Sequence, residues 1–252
     1  MINRDDLVEY LNRTLEVGSI DDYCPNGLQV AGKADVHHVV TGVTASLALL
    51  DQAIAAGADA VLVHHGYFWR GESPVVVGMK HARIKRLMDA DVSLLAYHLP
   101  LDTHPVFGNN AQLAKLLDWR IDGQCAAGGV ADLFFHGQVT GHQNGHEFAD
   151  HIAATLGRSV TVVGDPEKPI KRIGWCSGGA QRMVLQAAGL GLDAFVSGEI
   201  SEQTTHEARE NGLLYVAAGH HATERYGVCS IGEHLAEQLQ LTHQFIDVDN
   251  PA

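Results

Sequence analysis

The chain has 252 residues, which is enough for one large domain or two small ones with a substantial core. Its composition, 46% hydrophobic and 19% charged, is typical of a soluble globular protein. The net charge of −13 argues against binding to nucleic-acid backbones or to anionic membranes, and a phosphate-bearing ligand would need a local cation. We therefore expect no direct nucleic-acid binding and no membrane association.

The cysteines and the N-terminus indicate the compartment. The four cysteines contain no C-x-x-C pair, so neither a zinc knuckle nor a dithiol redox motif is predicted. The N-terminal segment "MINRDDLVEYLNRTLEV" is acidic and helical in period, unlike a signal peptide. No apolar run reaches the roughly 18–20 residues of a membrane span. We expect a cytoplasmic protein.

The first half of the chain predicts strands that alternate with helices. Leu7, Leu11 and Leu15 give an N-terminal helix an apolar face, and "DDYCPNGLQV" after it reads as a loop. Strands are predicted at "VHHVVTGVT", "GADAVLVHHG" and "VSLLAYHLPLD", and helices at residues 45–56, 80–89 and 110–117. This alternation predicts an α/β fold with mainly parallel sheets covered by helices.

The second half repeats this order. Its predicted strands are "IKRIGWCSGG", "LDAFVSGEI" and "LLYVAAGHH", each followed by a helix. "GADAVLVHHG" aligns with "GLDAFVSGE", so Asp59 matches Asp193, which indicates an internal duplication or two units that converged on one pattern. The glycine-rich segment 121–145 is the best boundary. We predict two α/β halves, residues 1–125 and 126–252, with the C-terminal segment packing back on the first half.

The side chains that could bind a metal or take part in catalysis stand at the ends of the predicted strands. In open α/β sheets, ligands bind outside the carboxyl ends of the strands. Here those ends supply imidazole or carboxylate groups, and one hydroxyl, in both halves: His64 and His65, His98 and Asp102, Ser197 and Glu199, and His220, His221 and Glu224. Imidazoles and carboxylates are the ligands of a mixed nitrogen and oxygen site for divalent metals.

The spacing of these residues suggests two neighbouring metal ions. His220 and Glu224 stand four apart where a helix begins, so both face one side, and His221 would point away. Gly66 after the strand would let His64 and His65 reach different metals. Either Glu224 or Asp102 could bridge such a pair. Two bound divalent ions activate water and stabilise a charged intermediate, which is hydrolase chemistry.

Simpler interpretations stand beside this one. His37 and His38 form an equally adjacent pair without an acidic partner, so an adjacent pair is weak evidence by itself. His98 could be a structural core histidine or a residue that supports a metal ligand. The aromatic residues of "GYFW" either pack in the core or form a wall for a flat substrate.

The sequence resembles a known family. The segments "DDYCPNGLQVAG", "TGVTAS", "GADAVLVHHGYFW", "HLPLD", "SGE" and "AAGHHATER" are similar to the signature segments of the NIF3-like family, over nearly the whole chain. Its bacterial members are often labelled GTP cyclohydrolase 1 type 2 homologs, and the chain looks closest to the short bacterial type. The resemblance implies duplicated α/β halves, a dinuclear metal cleft between them and a toroidal homohexamer. It also implies the metal ligands His64, His65, Asp102, His220 and Glu224, with Glu224 as the bridge.

Two hypotheses follow. The first is a hydrolase with two divalent metal ions per subunit, zinc, iron or manganese, that acts on a nucleotide or a related heterocycle, such as a damaged nucleotide. His98 or His221 would then transfer protons. The alternative is a non-catalytic metal-binding regulatory or scaffold protein that forms a ring and recruits partners.

Overall fold

The structure is a computed structural model, and it describes residues 1–141 and 144–252. The strands are β1 (Ile2–Asn3), β2 (Gly27–Val30), β3 (Asp35–Val36), β4 (His38–Thr44), β5 (Ala60–His65), β6 (Ser93–Ala96), β7 (Trp119–Ala127), β8 (Val130–Asn144), β9 (Thr161–Val163), β10 (Pro169–Cys176), β11 (Ala194–Ser197), β12 (Leu214–Ala217) and β13 (Thr242–Phe245). The helices are α1 (Arg4–Thr14), α2 (Leu47–Ala55), α3 (Gly78–Ala90), α4 (Leu99–Thr103), α5 (Asn109–Leu116), α6 (Gly145–Leu156), α7 (Val184–Gly189), α8 (Glu202–Glu210), α9 (His220–Thr223) and α10 (Arg225–Leu239). The predicted α/β class is confirmed.

The chain forms two compact units. Unit 1 comprises Met1–Phe107 and Arg225–Asp249, and unit 2 comprises Gly108–Glu224 and Asn250–Ala252. The domain boundary that the sequence suggests at residue 125 lies inside β7. The first boundary between the two compact units instead follows Phe107. Among the described residues, no helix is both long and apolar enough to cross a membrane.

Unit 1 is built on a five-stranded sheet. The strand order is β13-β4-β5-β6-β2, with β2 antiparallel to β6 and the other pairs parallel. Side chains of β5 alternate between two apolar clusters: Val61 and Val63 pack on one face and Leu62 on the other. The second face is covered by α1 and α10, through residues such as Leu11 and Ile231. Each such fully buried aliphatic side chain stabilises the fold by roughly 1.5–3 kcal/mol.

Unit 2 is built on a six-stranded mixed sheet. The strand order is β7-β8-β10-β11-β12-β9, and β10, β11 and β12 are parallel. The long strands β7 and β8 form an antiparallel hairpin in the segment that the sequence analysis treats as a boundary. Edge strand β7 has mostly exposed or half-buried side chains, so it lacks the apolar alternation that would reveal a strand. Buried aromatic residues such as Trp175 and Phe195 fill the core of this unit.

The two units share one local arrangement at the start of a central strand. In unit 1, one carboxylate oxygen of Asp59 accepts hydrogen bonds from the backbone N–H groups of His37 and His38, at 2.7 and 2.9 Å. In unit 2, one oxygen of Asp193 accepts from Lys171 and Arg172, at 3.1 and 2.9 Å. The pairing of Asp59 with Asp193 from the sequence thus has a matching hydrogen-bond pattern.

Candidate functional site

His64 and His65 lie at the carboxyl end of β5 in unit 1. The Nδ1–H of the fully buried His64 donates to the backbone oxygen of Tyr97, at 3.0 Å. Since a carbonyl only accepts, this bond fixes the tautomer and makes Nε2 the nitrogen with the lone pair. Nδ1 of His65 is hydrogen-bonded to the hydroxyl of Thr44, at 3.1 Å, and the two imidazole centroids are 4.6 Å apart. Both rings therefore reach one small region.

Gly66 matters here because of close packing. A Cβ on Gly66 would lie 2.6 Å from the Cβ of Ala96 and would overlap the side-chain amide of Gln29. That amide accepts from the backbone N–H of Tyr67 and donates to its backbone oxygen, at 2.7 and 3.1 Å. A glycine is thus required for the chain to turn against Gln29 directly after the two histidines.

Asp102 is presented by the short helix α4. Pro100 lies in the first turn of this helix, where its missing N–H costs nothing. The Thr103 hydroxyl donates to the backbone oxygen of Leu99, at 3.1 Å. Asp102 is buried, and its Oδ1 lies 3.6 Å from Nε2 of His64. The lone pair of His64 and this carboxylate therefore face the same point.

His98 is also part of this cluster in unit 1. Its ring centroid lies 5.0 Å from that of His64, and one ligand atom each of His64, His65 and His98 lie within 4.8 Å of one another. Nδ1 of His98 is hydrogen-bonded to the buried carboxylate of Asp22, at 3.0 Å. Burial raises the pKa of Asp22, but hydrogen bonds from His98, Asn26 and the backbone of Leu99 outweigh it and hold the pKa at about 2. Asp22 is thus a charged anchor for His98 that the sequence analysis missed.

Unit 2 carries a second cluster around His220. Nδ1 of His220 lies 2.7 Å from Oε1 of Glu199, and Nε2 lies 3.2 Å from Oε2 of the buried Glu224. Burial lowers the pKa of His220, but the two carboxylates outweigh it and raise the pKa to about 9. The ring proton of His220 compensates the negative charge of the two carboxylates. A divalent cation bound at Nε2 would compensate the same charge and could take the place of this proton.

The backbone of unit 2 leaves room for Glu224. Gly178 has φ +64, and a Cβ there would overlap Oε1 of Glu224. Its N–H donates to the Thr223 hydroxyl oxygen at 3.0 Å, and that hydroxyl donates to the backbone oxygen of Gly219 at 2.9 Å. The glycine turn after β10 therefore packs closely around a candidate ligand.

His221 follows His220 in α9 and is buried. Its backbone N–H donates to the backbone oxygen of Ala252, at 3.3 Å. Within the described part of the chain, no metal-competent group of three or more side chains includes His221. The proton-transfer role predicted for His221 stays a prediction.

The candidate ligands share a feature of metal-binding histidines. A histidine that ligates a metal usually uses its second nitrogen to bind a carbonyl, carboxylate or hydroxyl, which fixes the ring. His64 has such a partner in Tyr97, His65 in Thr44 and His220 in Glu199. Each unit therefore presents imidazole nitrogens beside a buried carboxylate, as in a site for a divalent cation. The fold and these clusters define the class: a duplicated α/β protein with residues suited to binding metal.

Comparison with known proteins identifies the family. Residues 2–251 match the model of Duf34/NIF3 (NGG1p interacting factor 3), and the chain belongs to this family. A curated relative from Pseudomonas aeruginosa is 53% identical over 98% of this chain and 97% of its own length. One from Escherichia coli K12 is 52% identical over 98% of both chains. Both are named "GTP cyclohydrolase 1 type 2 homolog".

Solved structures show the same fold. The structure titled "Structural genomics, protein ybgI, unknown function" superposes with a TM-score of 0.96 at 50% identity, over 100% of both chains. That of TTHA1606 from Thermus thermophilus has a TM-score of 0.89 at 31% identity, again over 100% of both chains. The predicted family membership and duplicated α/β architecture are confirmed.

Proposed function

We propose that the protein is a hydrolase with two divalent metal ions per subunit, held by His64, His65, Asp102, His220 and Glu224. One observation carries the proposal. The two buried carboxylates, Asp102 and Glu224, lie 3.6 and 3.2 Å from the Nε2 atoms of His64 and His220, while the opposite nitrogen of each ring is hydrogen-bonded. Such fixed rings are preorganised for a metal, since little side-chain freedom is lost on binding.

The side chains have distinct roles in this proposal. Asp102 and Glu224 would hold the ions through their carboxylates, with Glu224 as the shared ligand, and the imidazoles of His64, His65 and His220 would complete the ligand sets. Bound divalent ions supply activated water and stabilise negative charge that develops on the substrate. His98, which Asp22 orients, accepts or donates a proton next to the substrate, and His221 is the second candidate for this role.

The substrate in this proposal is a nucleotide or a related heterocycle. The support is the name of the relatives, which associates them with GTP cyclohydrolases. The net charge of −13 does not oppose an anionic substrate at such a centre, because two divalent ions invert the local field. A damaged nucleotide belongs to the same class of substrate.

Elemental analysis tests the ligand set. Purified protein should contain two divalent ions per subunit after loading with zinc, iron or manganese. Glu224→Gln and His64→Ala should each lower this stoichiometry, because each removes a ligand. His206→Gln is the matched control, since His206 is exposed on α8, and it should bind metal like the wild type. Unchanged metal content in Glu224→Gln would remove Glu224 from the ligand set.

A turnover assay tests the reaction. The metal-loaded protein is incubated with a panel of nucleotides, and ring-opened or hydrolysed products are measured by chromatography with mass detection. We expect turnover that Glu224→Gln abolishes and His206→Gln retains. Absence of turnover with every metal at full occupancy would overturn the hydrolase and favour a metal-binding scaffold.

The proposal includes a homohexamer, as the resemblance implies. Native mass spectrometry measures the oligomer directly, and a mass of six subunits is the expected result. A scaffold would also form this ring, so the oligomer by itself does not separate the two functions.

A further inference from the structure

Two aromatic side chains lie beside the imidazole cluster of unit 1, and neither is among the proposed metal ligands. The hydroxyl of one of them, Tyr23, lies 3.4 Å from Nε2 of His98. Tyr23 is 49% exposed, and Trp69 is half-buried. Their ring centroids are 5.7 Å apart, at an angle of 37°. Each meets His98 nearly edge to face, with centroid distances of 4.9 Å for Tyr23 and 5.0 Å for Trp69. Neither ring is stacked face to face on the imidazole.

The loops that carry these rings are joined by hydrogen bonds. The backbone N–H of Arg70 donates to the backbone oxygen of Tyr23, at 2.7 Å. The guanidinium of Arg70 donates to the backbone oxygen of Asp22, at 3.0 Å. The backbone N–H of Trp69 donates to Oε2 of Glu72, at 3.2 Å. Since the loops are fixed before a ligand arrives, little conformational entropy would be lost on binding.

Arg70 places a positive charge next to the aromatic rings. Its side chain is 69% exposed, and the guanidinium lies 3.6 Å from a carboxylate oxygen of Asp21, which is 95% exposed. A pair this exposed contributes little stability, so it can exchange for another anion. In a chain with a net charge of −13, such a group is a suitable contact for a phosphate.

We propose that Tyr23 and Trp69 form a stacking subsite for the planar ring of a heterocyclic substrate, and that Arg70 contacts its anionic group. This subsite lies beside His65 and His98, with the centroid of Trp69 6.0 Å from that of His65. Phe68 has no part in it, since its ring lies below the Nζ of Lys80, at 4.9 Å. The choice of a nucleotide as the ligand rests on the proposed function.

Calorimetric titration of the zinc-loaded full chain with GTP tests the subsite. Loss of one stacking ring weakens nucleotide binding by roughly 5- to 150-fold in other proteins. We expect that effect from Trp69→Leu and from Tyr23→Leu, and no change from Phe68→Leu, the matched control on the same loop. Arg70→Gln should weaken binding of GTP but not of guanosine, while Arg86→Gln, a control on an exposed arginine, should change neither.

A second measurement does not depend on a folded variant. Trp119 and Trp175 are buried, so fluorescence quenching of the wild type by a stacked base reports on Trp69. We expect GTP and guanosine to quench the fluorescence and tripolyphosphate to leave it unchanged. Failure of both GTP and guanosine to quench, or equal affinity for GTP in Trp69→Leu, Tyr23→Leu and the wild type, would overturn the subsite.

The two proposals fail in different ways. GTP that binds through Tyr23 and Trp69, with no nucleotide of the panel converted at full metal occupancy, would support the subsite and contradict the hydrolase. Turnover with unchanged affinity in both leucine variants would support the hydrolase and contradict the subsite.

Discussion

Unit 1 and unit 2 begin a central parallel strand in the same way and end it differently. Asp59 precedes β5, Asp193 precedes β11, and each carboxylate accepts two backbone N–H groups from the preceding strand region. At the carboxyl ends, β5 finishes with His64 and His65, whereas the matching residues of unit 2, Gly198 and Glu199, lie directly after β11. The aspartate at the strand start holds the neighbouring strand in both units, whereas the residues at the carboxyl end, where α/β sheets bind their ligands, differ in chemistry.

The comparison extends to the short helices α4 and α9, which follow β6 in unit 1 and β12 in unit 2. In α4 the Thr103 hydroxyl donates to the backbone oxygen four residues earlier, and in α9 the Thr223 hydroxyl does the same. The candidate carboxylates differ in position, since Asp102 precedes its threonine and Glu224 follows it. Each short helix therefore carries a candidate carboxylate ligand, an aspartate in unit 1 and a glutamate in unit 2.

The largest expected effect is on stability, from removal of the aspartates at the strand starts. Asp59→Ala should lower the free energy of unfolding by about 3 kcal/mol, because it leaves the two partly buried N–H groups of His37 and His38 without a charged acceptor. Asp193→Ala should cost only about 1–2 kcal/mol, because the side chain of Asp193 is 28% exposed against 10% for Asp59 and water reaches its partners. Denaturant unfolding measures both, with the exposed Asp89→Ala as control. Equal costs would contradict the role of burial.

The next effect concerns the groups that orient the histidines. Glu199→Gln should lower metal affinity by roughly 10- to 100-fold, because a charged partner of His220 becomes neutral. Thr44→Val should have a smaller effect, since the hydroxyl beside His65 is already neutral. Competition with a metal chelator gives both affinities, and Glu202→Gln on the exposed start of α8 is the control. A larger loss in Thr44→Val than in Glu199→Gln would reverse the comparison.

The smallest effect is the pH dependence of the Asp59 contribution. Burial raises the pKa of Asp59, but Lys33 and the backbone N–H groups of His37 and His38 outweigh it and lower the pKa below the ordinary 3.8. A lowered folded-state pKa stabilises the protein above the unfolded-state pKa, and this stabilisation is lost as the pH falls through the folded-state pKa. The stability difference between wild type and Asp59→Asn should therefore be constant from pH 7 to about 5 and shrink below about pH 4. Urea unfolding at several pH values measures it, and a difference that grows in acid would contradict the assignment.

Much of the architecture could be predicted because apolar periodicity reports burial. The strand "GADAVLVHHG" and the helix at residues 80–89 correspond to β5 and α3. The β7–β8 hairpin was missed because its exposed edge strand has no apolar alternation, and its pairing depends on contacts with β10. In the same way, "AQRMVLQAAGLG" predicts one helix, whereas a short 3₁₀ turn precedes α7.

Part of the candidate site could be predicted, because histidines and carboxylates at the ends of predicted strands are candidate metal ligands. The sequence identified His64, Asp102 and Glu224 as candidates, and the motifs matched a family. It could not identify Asp22 as the anchor of His98, because the two are 76 residues apart and meet only in the folded chain. The loop pairing of Arg70 with Tyr23 was hidden for the same reason.

The return of residues 225–249 to unit 1 has a consequence for biosynthesis. Strand β13 pairs with β4, and α10 supplies Val228, Ile231 and Leu235 to the cluster that also holds Leu7 and Leu11. A ribosome must therefore translate all of Gly108–Glu224 before it delivers these partners. At about 5–20 residues per second, the part of this face that α10 covers stays exposed for roughly 6–23 seconds in the nascent chain. During that interval the apolar side chains of α1 and of the sheet that later contact α10 form a surface that a chaperone could bind.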